Sequence, residues 1–333
     1  MTASSLDILC LGNAIVDVLA PVDDSFLETF GIAKGGMNLI DEARATWLFD
    51  AMGSTVVISG GSAANTAVGA AKLGAKAGFI GKVRDDEIGG HFATDLRSTG
   101  VHFSTTPATD GPVTARSFIL VTPDGQRTMN TFLGACQNLT VDDVDPALVA
   151  SAGVIYLEGY LWDPPHAKDA FRKASTLAHE AGRRVALSLS DAFCVGRYRD
   201  EFLDLIRSKK VDIVFANESE LLALYETGDF DAAAAALRGD CALAAVTRGA
   251  AGALVVEPAG LRAVPAFPVE AVVDSTGAGD LFAAGFLAGL ARGQDTLDCA
   301  RLGTLAAAEI ISHVGARPMA DLTDMAKSHG FAV

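Results

Sequence analysis

Residues Asp274 to Asp280 read Asp-Ser-Thr-Gly-Ala-Gly-Asp, and the run Leu281-Phe282-Ala283-Ala284-Gly285-Phe286-Leu287 that follows has helical character. A loop of small residues entering a helix can aim several backbone N–H groups at one point, at the positive end of the helix dipole. That arrangement suits a phosphate. Asp280 falls in the first turn, beside whatever those amides hold. A carboxylate that can accept a hydroxyl proton, next to an anion cradle, is what transfer of a phosphoryl group to an alcohol requires. Taken alone, the loop also fits a tight glycine turn before a core helix, but such a turn has no need of an acid at each end.

Four other segments carry groups of the right kind. Ser59-Gly60-Gly61-Ser62-Ala63-Ala64-Asn65 follows a strand pattern and opens a helix. Its glycines allow close approach by a ligand, Ser62 can cap the helix, and Asn65 would face the same crevice; a routine strand-to-helix turn reads the same way. Asp17 sits between Val16 and Val18 in an apolar strand pattern, where its carboxylate could accept from two neighbouring hydroxyls of a sugar or simply face solvent. Asn217-Glu218-Ser219-Glu220 after a strand is a capping-box pattern and equally an acid available to a hydrated Mg²⁺. In Thr247-Arg248-Gly249 the arginine could face phosphate or water. No Gly-x-x-x-x-Gly-Lys-Ser/Thr loop, His-Glu-x-x-His helix or protein-kinase signature occurs, and the six histidines show no metal spacing.

Those residues need a scaffold. At 333 residues the chain has the length of one large or two modest domains, and half of it is hydrophobic. Lys plus Arg is 26 against 41 Asp plus Glu, a formal charge of −15. Nucleic acid and anionic membranes are therefore poor partners, and an anion such as ATP has to be held by local donors. The five cysteines are scattered without a Cys-x-x-Cys pair, and the first basic residue is Lys34. The expectation is a cytoplasmic protein without a signal peptide. The longest apolar run near the C-terminus, 281–291, is too short to cross a bilayer.

Apolar strand patterns at 6–12, 55–59, 153–157, 184–188, 212–216 and 242–246 alternate with helical patterns at 63–73, 87–98, 167–181, 201–208 and 218–225. This predicts a doubly wound, mainly parallel α/β sheet covered on both faces. Two stretches break the rhythm. One is 14–41; the other holds strand patterns flanking Thr122-Pro123-Asp124-Gly125, a hairpin signal. The expected division is a large nucleotide-binding domain of 1–13, 42–110 and 133–333, with a small β lid of 14–41 and 111–132 over the crevice at the strand ends.

Together these segments resemble the ribokinase-like, or PfkB, family of carbohydrate and nucleoside kinases, from Gly12-Asn13 to Gly315-Ala316. Asp274–Asp280 is similar to its C-terminal signature, Gly60-Gly61 to its di-glycine hinge, and Asn217-x-x-Glu220 to its Asn-x-x-Glu motif. The resemblance implies an ATP-dependent kinase. Asp280 would be the base, and Gly277, Ala278 and Gly279 the anion hole. Asn217 and Glu220 would order Mg²⁺ and its water, and Thr247, Arg248 and Gly249 would line the ATP side. Asp274 would lie where relatives hold a potassium-like ion, and Arg127 would be a lid arginine that swings onto the phosphates.

Within the family the likeness is to the adenosine kinase branch. Gly12-Asn13-Ala14-Ile15-Val16-Asp17 resembles its opening strand, 187–193 its Asn-Leu-Ser-Ala-Pro-Phe stretch with Asp191-Ala192 in place of Ala-Pro, and the helix through Ala307 its ATP-side helix, with Thr304 where a His is common. Asn13, Asp17 and Gly60–Asn65 would then hold a ribose, and Leu39, Tyr160, Leu161 and Phe193 would wall a purine pocket. The implied acceptor is the 5′-hydroxyl of a purine nucleoside. A kinase for a free sugar or sugar acid would keep every phosphate-side residue and stays open, as does a non-catalytic nucleotide-binding protein. Relatives use the lid either as a monomer's cover or as a dimer's clasp.

Overall fold

The computed structural model describes residues 5–333; residues 1–4 of the expected 1–13 segment lie outside them. The strands are β1 (Leu6–Leu11), β2 (Ile15–Pro21), β3 (Met37–Leu39), β4 (Val56–Ser59), β5 (Ala77–Ile80), β6 (His102–Phe103), β7 (Ala115–Val121), β8 (Arg127–Phe132), β9 (Ala152–Glu158), β10 (Arg184–Ser188), β11 (Ile213–Asn217), β12 (Leu243–Thr247), β13 (Ala253–Glu257) and β14 (Gly260–Val264). The α-helices are α1 (Asp24–Thr29), α2 (Glu42–Ala51), α3 (Ser62–Lys72), α4 (Glu87–Ser98), α5 (Pro146–Ser151), α6 (Pro165–Glu180), α7 (Ala192–Arg207), α8 (Glu218–Tyr225), α9 (Phe230–Asp240), α10 (Ala278–Ala291), α11 (Thr296–Ile310) and α12 (Leu322–Ser328).

The main sheet runs β14-β13-β12-β11-β10-β9-β1-β5-β6, parallel except where β13 and β14 turn back. Its strands read as unbroken apolar runs because both faces are covered. Ile8 and Cys10 of β1, with Val154 and Tyr156 of β9, enter one core with α3, α10 and α11. Leu9, Leu11, Ile155 and Leu157 enter the other, with α6, α7 and α9. The two-residue side-chain period thus feeds two cores from the same strands. The chain lays β5 on one side of β1 and β9 on the other. That reversal opens a crevice beyond the carboxyl ends of β1 and β9, where ligands of such sheets bind.

A second sheet, β3-β8-β7-β2-β4, stands beside the first. Val18, Ala20, Phe118, Leu120 and Phe132 on one of its faces pack with Leu27 of α1 and with Ala45, Leu48 and Met52 at α2. The Pro123-Asp124-Gly125 turn joins antiparallel β7 and β8, with Gly125 at φ +79°. The strand expected at 55–59 in the main sheet is instead β4, paired antiparallel with β2. Val56 is 60% exposed, as an edge strand permits. Residues 42–59, expected with the large domain, thus build the second sheet and its helical cover. The helix expected from 201 begins earlier, as part of α7, and is bent at Tyr198. Among the described residues no helix is long and apolar enough to cross a membrane.

Candidate active site

Gly277, at φ +79°, caps α10 where the chain passes close to Ala316; a Cβ at this position would lie 3.0 Å from the Ala316 Cβ. Backbone handedness and space both require glycine there. The Ala278 N–H donates to Ser275 O at 3.2 Å, so it is not free for a ligand as expected. The N–H groups of Gly277, Gly279 and Asp280 have no partner among the described residues. The open cradle is therefore these three amides at the N-terminus of α10.

Helix α3 fixes the carboxylate beside them. Gly69 lets α3 approach α10, since a Cβ would meet Leu281 Cδ1 at 2.6 Å and Ala284 Cβ at 2.8 Å. Across that contact Ser62 Oγ donates to Asp280 Oδ1 at 2.6 Å and Asn65 Nδ2 donates to Asp280 Oδ2 at 2.9 Å. Asn65, expected against a ribose, instead holds this carboxylate. Burial pushes Asp280 above the ordinary carboxylate range, opposed by those two hydrogen bonds and by the charge of Arg317.

From the second sheet Arg127 reaches the same loop. Its Nη2 lies 2.6 Å from Asp274 Oδ2, and its Nη1 donates to Thr276 Oγ1 at 3.1 Å. Asp274 also accepts from the N–H groups of Thr276 (3.0 Å) and Gly315 (2.8 Å). In this arrangement Asp274 is neutralised by a guanidinium and holds two amides, so the monovalent-cation role implied for it would need Arg127 to leave. Among the described residues no group of three or more His, Cys, Asp or Glu could hold a metal.

Two cavities border the residues around Asp280, one at Gly279 and one at Ser62. The smaller, about 120 Å³, is lined by Asn13, Asp17, Leu39, Gly61, Ser62 and Tyr160, all expected there. It is also lined by Met37, Ser117, Met129, Thr131 and Glu158, for which the sequence carried no motif. Gly60 backs onto Asp17: a Cβ would come within 2.3 Å of its Oδ2. Burial pushes Asp17 up to about 7, against the pull of Arg317 and Arg127. Glu158, at the end of β9, accepts from Asn13 Nδ2 (2.9 Å) and from the Ala63 N–H (2.9 Å), and burial raises it to about 7. Asn13 Oδ1 is buried and lacks a partner among the described residues, an acceptor left for a ligand. Two expected wall residues are elsewhere. Leu161 is fully buried in the core with Trp162 and Phe171, and Phe193 is 65% exposed, with the Arg197 guanidinium 4.6 Å from its ring.

The larger cavity, about 500 Å³, is lined by Thr247, Gly249, Phe267, Ser275, Gly279, Phe282, Thr304 and Ala307 among others. Gly279 belongs to this lining and Ser62 to the other; Asp280, in neither lining itself, follows Gly279 in the chain and accepts from Ser62 Oγ. Arg248 turns away: it pairs with Glu218 at 3.3 Å and lies 3.7 Å over the ring of Phe230. Asn217 and Glu220 form a complete capping box. Asn217 donates through its N–H (2.9 Å) and Nδ2 (2.6 Å) to the two Glu220 oxygens, and its Oδ1 accepts from the Glu220 N–H (2.9 Å). Each Glu220 oxygen carries one donor, which leaves acceptor capacity for water but not the exposed carboxylate of a direct metal ligand. Burial raises Glu220 to about 7, with Asp191 and Asp280 adding to the effect.

The chain matches the model of the pfkB family carbohydrate kinases over residues 26–322. A solved adenosine kinase from Sinorhizobium meliloti superimposes with a TM-score of 0.94 at 54% identity, covering 98% of this chain and 100% of that one. A probable sugar kinase protein from Rhizobium etli gives a TM-score of 0.94 at 50% identity, over 98% and 99%. A cytidine kinase from Thermococcus kodakarensis is 31% identical over 274 residues, 79% of this chain and 91% of that one. With this match over most of its length, the chain belongs to the pfkB family of carbohydrate kinases.

Proposed function

We propose that the protein transfers the terminal phosphoryl group of ATP to a primary hydroxyl of a purine nucleoside, the 5′-hydroxyl of its ribose. The observation that carries this reading is the Asp280 carboxylate, held by Ser62 and Asn65 beside three unpaired amides, with Ser62 lining one cavity and Gly279 the other. ATP occupies the larger cavity, its base against the apolar wall that includes Phe282 and Ala307. The amides of Gly277, Gly279 and Asp280 take the charge on the transferring group, and Arg127 shifts from Asp274 to the phosphates as the second sheet closes. Asp280 accepts the proton of the attacking hydroxyl. Bound Mg²⁺ would neutralise phosphate charge, and Glu220, with its spare acceptor capacity, and Asn217 are the residues that would order its water. Residues 14–59 and 111–132 serve as the lid that keeps water out.

The acceptor lies in the smaller cavity, with Asp17 and Asn13 receiving ribose hydroxyls and Leu39, Met37, Met129 and Tyr160 facing the base. The adenosine kinase relative at 54% identity supports that acceptor. A volume of about 120 Å³ favours, as a second reading, a smaller acceptor such as a free sugar. Five buried cysteines without a disulfide fit a reducing cytoplasm. Incubation with labelled ATP and a mixed pool of nucleosides and free sugars tests the proposal. The expected product is a purine nucleoside 5′-monophosphate. Label only in sugar phosphates refutes the nucleoside acceptor, and label in no acceptor refutes the transfer.

A further inference from the structure

Arg317 lies in the segment between α11 and α12, and no motif pointed to it. Its guanidinium donates to three main-chain carbonyls where the two sheets join: Nε to Ser59 O (2.8 Å), Nη1 to Ala64 O (3.0 Å) and Nη2 to Gly60 O (3.4 Å). Ser59 ends β4, Gly60 is in the turn, and Ala64 is in the first turn of α3. Between them Gly61 holds φ +87°. The clamp therefore spans the turn that delivers Ser62 and Asn65 to Asp280. A planar fork of five N–H donors can serve three diverging carbonyls at once, which a lysine ammonium on a flexible stem does poorly.

The charge is as telling as the geometry. The ionisable groups that face Asp280 are Asp17 on β2, Cys10 on β1, Tyr156 and Glu158 on β9, Glu220 on α8, and Arg317. All but Arg317 are acids or neutral. Burial lowers Arg317 only to about 10, so it is charged at neutral pH.

We propose that Arg317 is a positioning residue for phosphoryl transfer: it clamps the β4–α3 turn so that Ser62 and Asn65 present Asp280 in its reactive pose, and it supplies the positive charge that this carboxylate faces. The inference rests on Asp280 being the base, and the test separates the two. Arg317→Met, Arg317→Lys and Asp280→Asn are compared with the wild-type chain by circular dichroism, thermal melting, and kcat and kcat/KM against pH. Arg317→Met is expected to lower kcat about 10–100-fold through misplacement of the base. It also moves the acid limb of the profile to higher pH, with KM for ATP unchanged. Arg317→Lys keeps the charge and returns the limb toward its wild-type position, while kcat stays reduced because the three-carbonyl clamp is gone. A folded Arg317→Met variant with wild-type kcat and limb, even with a lower melting point, overturns the proposal and makes Arg317 a plain structural tie. If Arg317→Met does not fold, wild-type kcat in Arg317→Lys overturns it. Wild-type turnover in Asp280→Asn sinks the assignment of the base instead.

Discussion

Gly61→Ala probes the joint between the sheets directly. Gly61 sits at φ +87°, ψ 125°, a region closed to side chains, and an added Cβ would lie 2.4 Å from the carbonyl oxygen of Asn13. That oxygen is backbone at the mouth of β1, so it cannot swing aside as a side chain would. The conformational strain costs about 1–3 kcal/mol and the overlap about 1–3 kcal/mol more, so roughly 2–6 kcal/mol is expected. At about 2 cal/mol/K of unfolding entropy per residue, a chain of this size loses on the order of 3–9 °C of melting temperature. The relief must push Ser62 or Asn13, one bonded to Asp280 and the other lining the smaller cavity, so kcat should fall at least about tenfold as well. Differential scanning fluorimetry and a coupled ADP-release assay read both effects. Gly90→Ala in α4 is the control: nothing lies within 4 Å of the added Cβ, and the helix should gain about 0.5–1 kcal/mol. A Gly61→Ala protein that melts and turns over like the wild type would show that the turn is not constrained as described.

Asp280→Asn should fold normally, because the new amide can donate to a Ser62 hydroxyl turned to accept while its carbonyl still receives Asn65; turnover should fall on the order of 10²–10⁴-fold with loss of the acid limb, and a near-wild-type rate refutes the base. For Asp17 the folded-state pKa of about 7 lies above the ordinary value, so the folded form holds the proton more tightly. Its destabilising effect grows as pH rises from about 4 and is complete above about 7. Asp17→Asn should therefore raise the melting temperature of the ligand-free protein on the alkaline side and leave it unchanged at the acid end; an equal gain at both ends contradicts the burial argument. Ala307→Phe should fill part of the larger cavity and raise KM for ATP with the acceptor KM unmoved, and the opposite pattern in a kinetic titration would exchange the two cavities.

Much of this was legible in the residues themselves. The signature loop, the di-glycine turn and the Asn217–Glu220 box occupy the positions their local chemistry demands, since each is decided within a few residues. The two-faced burial of β1 and β9 explains why continuous apolar runs pointed to a parallel sheet. The misses come from what spacing alone does not encode: the direction a group takes from an anticipated element, and partners far away in the chain. Tyr160 and Leu161 share one short turn, yet one lines the cavity and the other is core. Val56 and Val57 look like a buried strand but lie on an edge. Ala278 has an amide like its neighbours, and only the fold of the loop spends it on Ser275. Glu158 and Arg317 are single charged residues whose partners lie far away in the chain, so no spacing could expose them.

The second sheet is assembled from two separate excursions of the chain. β2, β3 and β4 come from the first and β7 and β8 from the second, and Ile15 pairs with Ala115 across a hundred positions. Neither excursion can complete a sheet alone, because its central pairing needs strands from both. Prior docking of β1, β5 and α4 would bring the two to the same edge, at a loop-closure cost far smaller than in the free chain. The second sheet should thus be the last piece to form and the first to let go. Amide exchange in β2 and β7 should outpace that in β1 and β9.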